Sequence, residues 1–112
     1  MSLRFDPATR VRYRKALLRK GMQIAEELAA VLAGKDRKPR THEMPIAARK
    51  PGMRPEEKLR AYLDHVEGCR RRLDADDDAF GRCGLCGVDL GPVALEQMPW
   101  ADRCQTCAPE LA

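Results

Sequence analysis

Phe80 to Cys107 reads FGRCGLCGVDLGPVALEQMPWADRCQTC, and this stretch decides how the rest of the chain is arranged. Two Cys-x-x-Cys pairs, Cys83/Cys86 and Cys104/Cys107, stand 17 residues apart. Four thiolates at that spacing form the pattern of a structural zinc site, each Cys-x-x-Cys turn aiming two sulfurs at one point. Gly84 and Gly87 occupy the tight turn around the first pair, where backbone amides can also face the sulfurs. One structural Zn2+ on Cys83, Cys86, Cys104 and Cys107 is therefore expected, with no position left open to activate a water. Two disulfides would need an oxidising compartment, and a thioredoxin-like redox pair would need a βαβ context. Neither has a signal here. An iron–thiolate centre uses the same four ligands, and spacing alone does not separate it from zinc.

The rest of the composition agrees with a small, metal-stapled helical protein. The chain has 112 residues with two Phe, two Tyr and one Trp, and 34% of residues are charged. A large aromatic core is out of reach, so elongated helices held by a metal are the expected solution. The formal net charge is +4, to which four thiolates around one Zn2+ add about −2. Basic residues fall in two patches. Arg4 to Lys20 carries seven against the single acid Asp6, and Lys35 to Arg54 carries seven against Asp36 and Glu43. Such runs are usually solvated faces, though they suit nucleic acid or an acidic protein surface. The chain shows no signal peptide and no apolar run near 18 residues, so a soluble, cytoplasmic protein without membrane contact is expected.

Working outward from the cysteines, two helices precede them. Residues 1–6 are expected to fray, with Asp6–Pro7 supplying an N-cap and a proline in the first helical position. Helix is expected over about residues 7–33, where Leu17, Gly21, Ile24, Leu28 and Val31 step by four and three. Val11, Leu18, Ala25 and Leu32 follow at intervals of seven beside that stripe, and the two are read as one wide buried face. Gly34 is the expected terminator. Residues 34–54 contain three prolines and two glycines and are expected to form a basic tip loop without regular structure. A second helix over about residues 55–75 opens on Pro55, Glu56 and Glu57. Its Leu59, Tyr62, Val66, Cys69 and Leu73 form an a/d seam, the partner the first helix needs. The acids Asp74, Asp76, Asp77 and Asp78 do not suit a helix C-terminus and are read as leaving the helix or as held from outside. The expected organisation is a helical hairpin over 1–79 and a four-cysteine finger with a short tail over 80–112.

Phe80-Gly81-Arg82-Cys83-Gly84-Leu85-Cys86-Gly87 resembles the aromatic-Gly-x-Cys-x-x-Cys-Gly opening of the zinc finger of the DksA/TraR family. Leu95-x-x-Met98-Pro99-Trp100-Ala101-x-x-Cys104-x-x-Cys107 is similar to the closing stretch of the same finger. The resemblance implies a mainly α fold, an antiparallel helical hairpin of coiled-coil type with the finger at its base. It also implies a bacterial transcription regulator whose hairpin enters the secondary channel of RNA polymerase, often acting with ppGpp, with Cys83, Cys86, Cys104 and Cys107 as the zinc ligands. Regulatory members carry Asp-x-x-Asp-Ala at the tip; that motif occurs nowhere in this chain.

In place of those acids the loop offers Lys35, Asp36, Arg37, Lys38, Arg40, Arg49, Lys50 and Arg54 as partner contacts. It holds no aromatic residue, so base stacking is not expected. Cys69 is read as a small buried hydrophobe, His65 as a partly exposed helix residue, His42 as a solvated imidazole and Trp100 as packing against the hairpin base. No catalytic or cofactor-binding arrangement is visible, and an enzyme is not expected. The expected function is non-enzymatic binding of bacterial RNA polymerase by a single-copy protein. The rival readings are a nucleic-acid-binding module using the basic patches and an adapter for another protein.

Overall fold

The computed structural model describes residues 5–35, 44–104 and 106–107. Three α-helices and one 3-10 turn follow in order: α1 (Pro7–Leu32), the turn Ile46–Ala48, α2 (Pro55–Asp74) and α3 (Gly91–Gln97). The protein is mainly α, and among the described residues the only β pairing is an isolated Arg82–Asp89 bridge.

The ends of α1 follow from local chemistry. Asp6 is the N-cap, its carboxylate accepting the Thr9 N–H at 2.8 Å, and Pro7 follows where no N–H is needed. Beyond Ala33, Gly34 takes φ +85°, and the N–H groups of Gly34 and Lys35 close on Val31 and Ala30. That is the left-handed exit glycine allows. α2 starts on Pro55 with Glu56 and Glu57 in its first turn and ends with Arg71 and Arg72, in keeping with the helix dipole.

The two long helices run antiparallel and bury one stripe each. Tyr13, Leu17 and Ile24 of α1 pack with Leu59, Tyr62, Val66, Cys69 and Leu73 of α2, and Phe80, Leu95 and Trp100 continue the same core into the finger. The α2 seam is buried at every expected position. The α1 face is not: Tyr13, Leu17 and Ile24 are buried, whereas Val11, Leu18 and Leu32 are exposed by 50%, 42% and 55%. One partner helix covers one seam, so the second stripe stays in solvent.

The base of the hairpin is held by charge as well as packing. Arg14 Nε lies 3.1 Å from Asp74, and Arg10 Nη1 lies 2.9 Å from Asp76 while its Nη2 donates to the Leu73 carbonyl. Asp76 adopts φ +56°, turning the chain out of α2. Asp74 and Asp76 are thus held from outside the helix by the basic start of α1, whereas Asp77 accepts the Ala79 N–H and Asp78 pairs with Arg82. Phe5 does not fray either: its ring stands edge-on to Tyr13 and Phe80, with centroids 5.5 and 5.7 Å away.

The connection between the helices departs from the expected loop without regular structure. Met44 and Ala48 are 1% and 0% exposed, and the Ile46–Ala48 turn packs on α2. The Ile46 N–H donates to an Asp102 carboxylate oxygen at 2.8 Å, and Arg103 Nη2 donates to the Met44 carbonyl at 3.1 Å. This part of the connection therefore returns to the finger. The short apolar run Met44-Pro45-Ile46-Ala47-Ala48 buries side chains that the prolines around it conceal from a periodicity reading.

Candidate metal centre

The finger is built from two turns brought together by backbone bonds. Cys83 N–H donates to the Val88 carbonyl and Gly87 N–H to the Cys83 carbonyl, both at 2.9 Å, which closes a knuckle around Cys83 and Cys86. The Arg82–Asp89 bridge and a Leu90-to-Gly81 bond hold its base. From the second turn, the Asp102 carbonyl accepts the Gly84 N–H at 2.7 Å. A Cβ on Gly84 would stand 3.4 Å from that carbonyl and from Ile46 Cδ1, so the two turns and the returning connection meet over a small residue.

The result is a cluster of sulfurs. The Sγ atoms of Cys83, Cys86, Cys104 and Cys107 all lie within 4.8 Å of one another, with Cys86 and Cys104 only 3.7 Å apart. A tetrahedron with metal–sulfur bonds near 2.3 Å has edges of about 3.8 Å, so the spacing fits a tetrathiolate centre. The electrostatics fit as well. Burial pushes the Cys83 thiol up, but the N–H groups of Cys86, Leu85 and Cys104 together outweigh it and bring the group to about 6. The Cys107 N–H helps draw Cys104 down, whereas hydrogen bonding to Cys104 and desolvation push Cys107 up. Cys86 is pushed up by Cys104 and Cys83, although the Val88 N–H draws it down. Four neighbouring thiols cannot all ionise unaided; a divalent cation removes that conflict.

Gly87 has φ +78° with open space where a Cβ would go. Gly87→Ala therefore tests backbone strain alone, and is expected to cost about 1–2 kcal/mol in urea unfolding of the metal-loaded protein.

Trp100 packs against the hairpin base as expected, and among the described residues three polar contacts, whose partners were not legible in the sequence, add to that packing. His65 Nε2 lies 2.8 Å from the Trp100 carbonyl; a carbonyl only accepts, so Nε2 carries the proton and donates. His65 is half-buried and stands outside the sulfur cluster. Lys20 Nζ sits over the rings of Trp100 and Tyr62 at 5.0 and 5.5 Å, joining α1, α2 and the finger. Arg12 reaches Glu96 of α3 at 2.7 Å. Cys69, 6% exposed, has its thiol raised to about 11 by burial, as suits a packed hydrophobe.

The expected tip contacts divide. Lys35 and Lys50 are exposed, whereas Arg54 pairs with Glu57 at 2.7 Å and with Glu56 at 3.5 Å. Arg49 is partly buried and donates to the Met44 carbonyl, with burial and then the neighbouring Arg103 drawing its pKa down. Asp36, Arg37, Lys38, Arg40 and His42 lie outside the described residues.

Fold and site together define an antiparallel helical hairpin whose base carries a four-cysteine centre fit for a metal. Over 55 residues the chain is 36% identical to the RNA polymerase-binding transcription factor DksA of Haemophilus influenzae. The matched stretch is 49% of this chain and 37% of that protein's length. No family model and no solved structure matches the chain. Among the described residues no helix is long and apolar enough to cross a membrane.

Proposed function

We propose that the chain is a non-enzymatic transcription regulator that binds bacterial RNA polymerase through its hairpin, with one Zn2+ on Cys83, Cys86, Cys104 and Cys107 holding the base. The observation that carries this reading is the likeness to a polymerase-binding transcription factor. The zinc supplies folding rather than chemistry, because four sulfurs leave it no open position. The hairpin, 1–79, enters the secondary channel, and the finger, 80–112, sets its angle through His65, Lys20 and Arg12. Just beyond the end of α1, the exposed Lys35 presents positive charge where regulatory relatives present acids at the tip.

A free nucleic-acid role draws less support. Of the amino-terminal cations, Arg10, Arg12 and Arg14 are committed to acids and Lys20 to two rings. Weak, salt-sensitive affinity for DNA is all that the remaining charges would give.

The test is capture of core RNA polymerase by the zinc-loaded protein at low salt, challenged with an acid-tipped family member. Capture that the relative displaces is expected. A folded, zinc-loaded protein that captures no polymerase would overturn the reading.

A further inference from the structure

α1 carries a second seam that no described part of the chain covers. Val11, Leu18, Ala25 and Leu32 repeat every seven residues, and Lys15, Met22 and Ala29 interleave them at steps of four and three. All seven are exposed, Met22 by 67%. The run spans about 32 Å at the helical rise, long enough for three heptads. A sustained 3.5-residue repeat on a solvent face is the signature of a missing partner helix, because an isolated helix gains nothing from it.

The flanking charges select the partner. Arg19 and Glu26 each follow a seam residue, Leu18 and Ala25, and neither has an ion-pair partner among the described residues. The outer face is basic in its first half, with Arg12, Lys15 and Arg19, and acidic further on, with Glu26 and Glu27. A parallel copy would set like charges side by side. An antiparallel copy sets Arg19 beside Glu26 of the second copy, and the two-fold axis repeats the pair. The same register places Met22 against Ala25 of the second copy and Leu18 against Ala29 of the second copy. Large residues then face small ones, which lets the helices approach. Beside the seam lies a groove of about 280 Å3, bordered by Leu18, Met22 and Ala25 of α1 and Leu63 and Val66 of α2. It is open to the Met22 side chain of the second copy.

We propose that the outer seam of α1 is a self-association surface, on which two copies of this chain pack α1 antiparallel and close the seam with reciprocal Arg19–Glu26 pairs. This replaces the single-copy expectation and does not depend on polymerase binding.

Sedimentation velocity on the zinc-loaded full chain over two to three decades of concentration tests it. The mass is expected to double with concentration. Met22→Glu should abolish the doubling, and Arg19→Glu or Glu26→Arg alone should weaken self-affinity about tenfold or more, since each turns two attractions into repulsions. The double variant R19E/E26R should restore it to within about threefold, because the pairs are remade with their signs exchanged. All three side-chain changes lie on an exposed face, so far-UV circular dichroism should be unchanged in each of the four variants. A chain that stays monomeric up to about 1 mM, or single reversals without effect, would overturn the proposal. Failure of the double variant to recover would overturn the antiparallel register.

Discussion

Stripping the metal from the folded protein is expected to unmake the finger and leave a weakened helix pair. Structural zinc contributes about 10 kcal/mol or more to the folding of small thiolate modules, which is as large as the whole stability of many domains. The described residues of 80–107 hold little regular structure of their own, α3 being seven residues long and the β pairing a single bridge, with only Phe80, Leu95 and Trp100 buried in the main core. The α1–α2 core is different, because both long helices contribute buried residues to it, Leu17 and Ile24 from α1 and Leu59 and Val66 from α2. Trp100, the sole tryptophan, reports the difference. It is 9% exposed, with its carbonyl bound by His65 and its ring under Lys20. On chelation its fluorescence should shift to the red while most of the helical circular dichroism remains. Cys104→Ser should reproduce the shift without chelator, and Cys69→Ala should not, because Cys69 lies outside the four-sulfur cluster. Unchanged Trp100 emission after complete metal removal would show that the finger holds without the centre.

Two adjacent leucines on α1 should differ sharply. Leu17 is 1% exposed in the seam against α2, and Leu18 is 42% exposed on the outer face. Leu17→Ala is expected to cost about 2–5 kcal/mol, the sum of lost apolar transfer and the cavity left behind. Leu18→Ala should cost less than about 0.5 kcal/mol, provided that unfolding is followed at dilution, where the outer seam is unpaired. Urea unfolding in excess zinc measures both. Equal costs would mean that the outer stripe is buried in solution, contrary to the fold described.

What was legible in the sequence follows from how local each signal is. Cys-x-x-Cys turns and caps are short-range chemistry, and the sulfurs, Asp6, Pro7, Gly34 and Pro55 stand where that chemistry puts them. The α2 seam was legible for the same reason, since period alone marks Leu59, Tyr62, Val66, Cys69 and Leu73. On α1 periodicity shows two stripes but cannot say that one helix is all there is to cover them. The pairing of Arg10 and Arg14 with Asp76 and Asp74 joins residues some sixty positions apart, and nothing in either run names the other. Met44–Ala48 shows the limit most clearly. Its apolar content signals burial, but its place against α2 and Asp102 is set by contacts with residues further along the chain. α3 was missed because its seven residues, Gly91–Gln97 with Pro92 second, are too few to display a period.

The claim on which the account rests is that four sulfurs, and only sulfurs, close around one zinc. X-ray absorption at the zinc edge of the purified, zinc-loaded protein tests it directly. Four sulfur neighbours at about 2.3 Å, with one zinc per chain, is the predicted result. A nitrogen or oxygen neighbour in place of a sulfur would contradict it, opening a coordination position and returning catalysis to consideration.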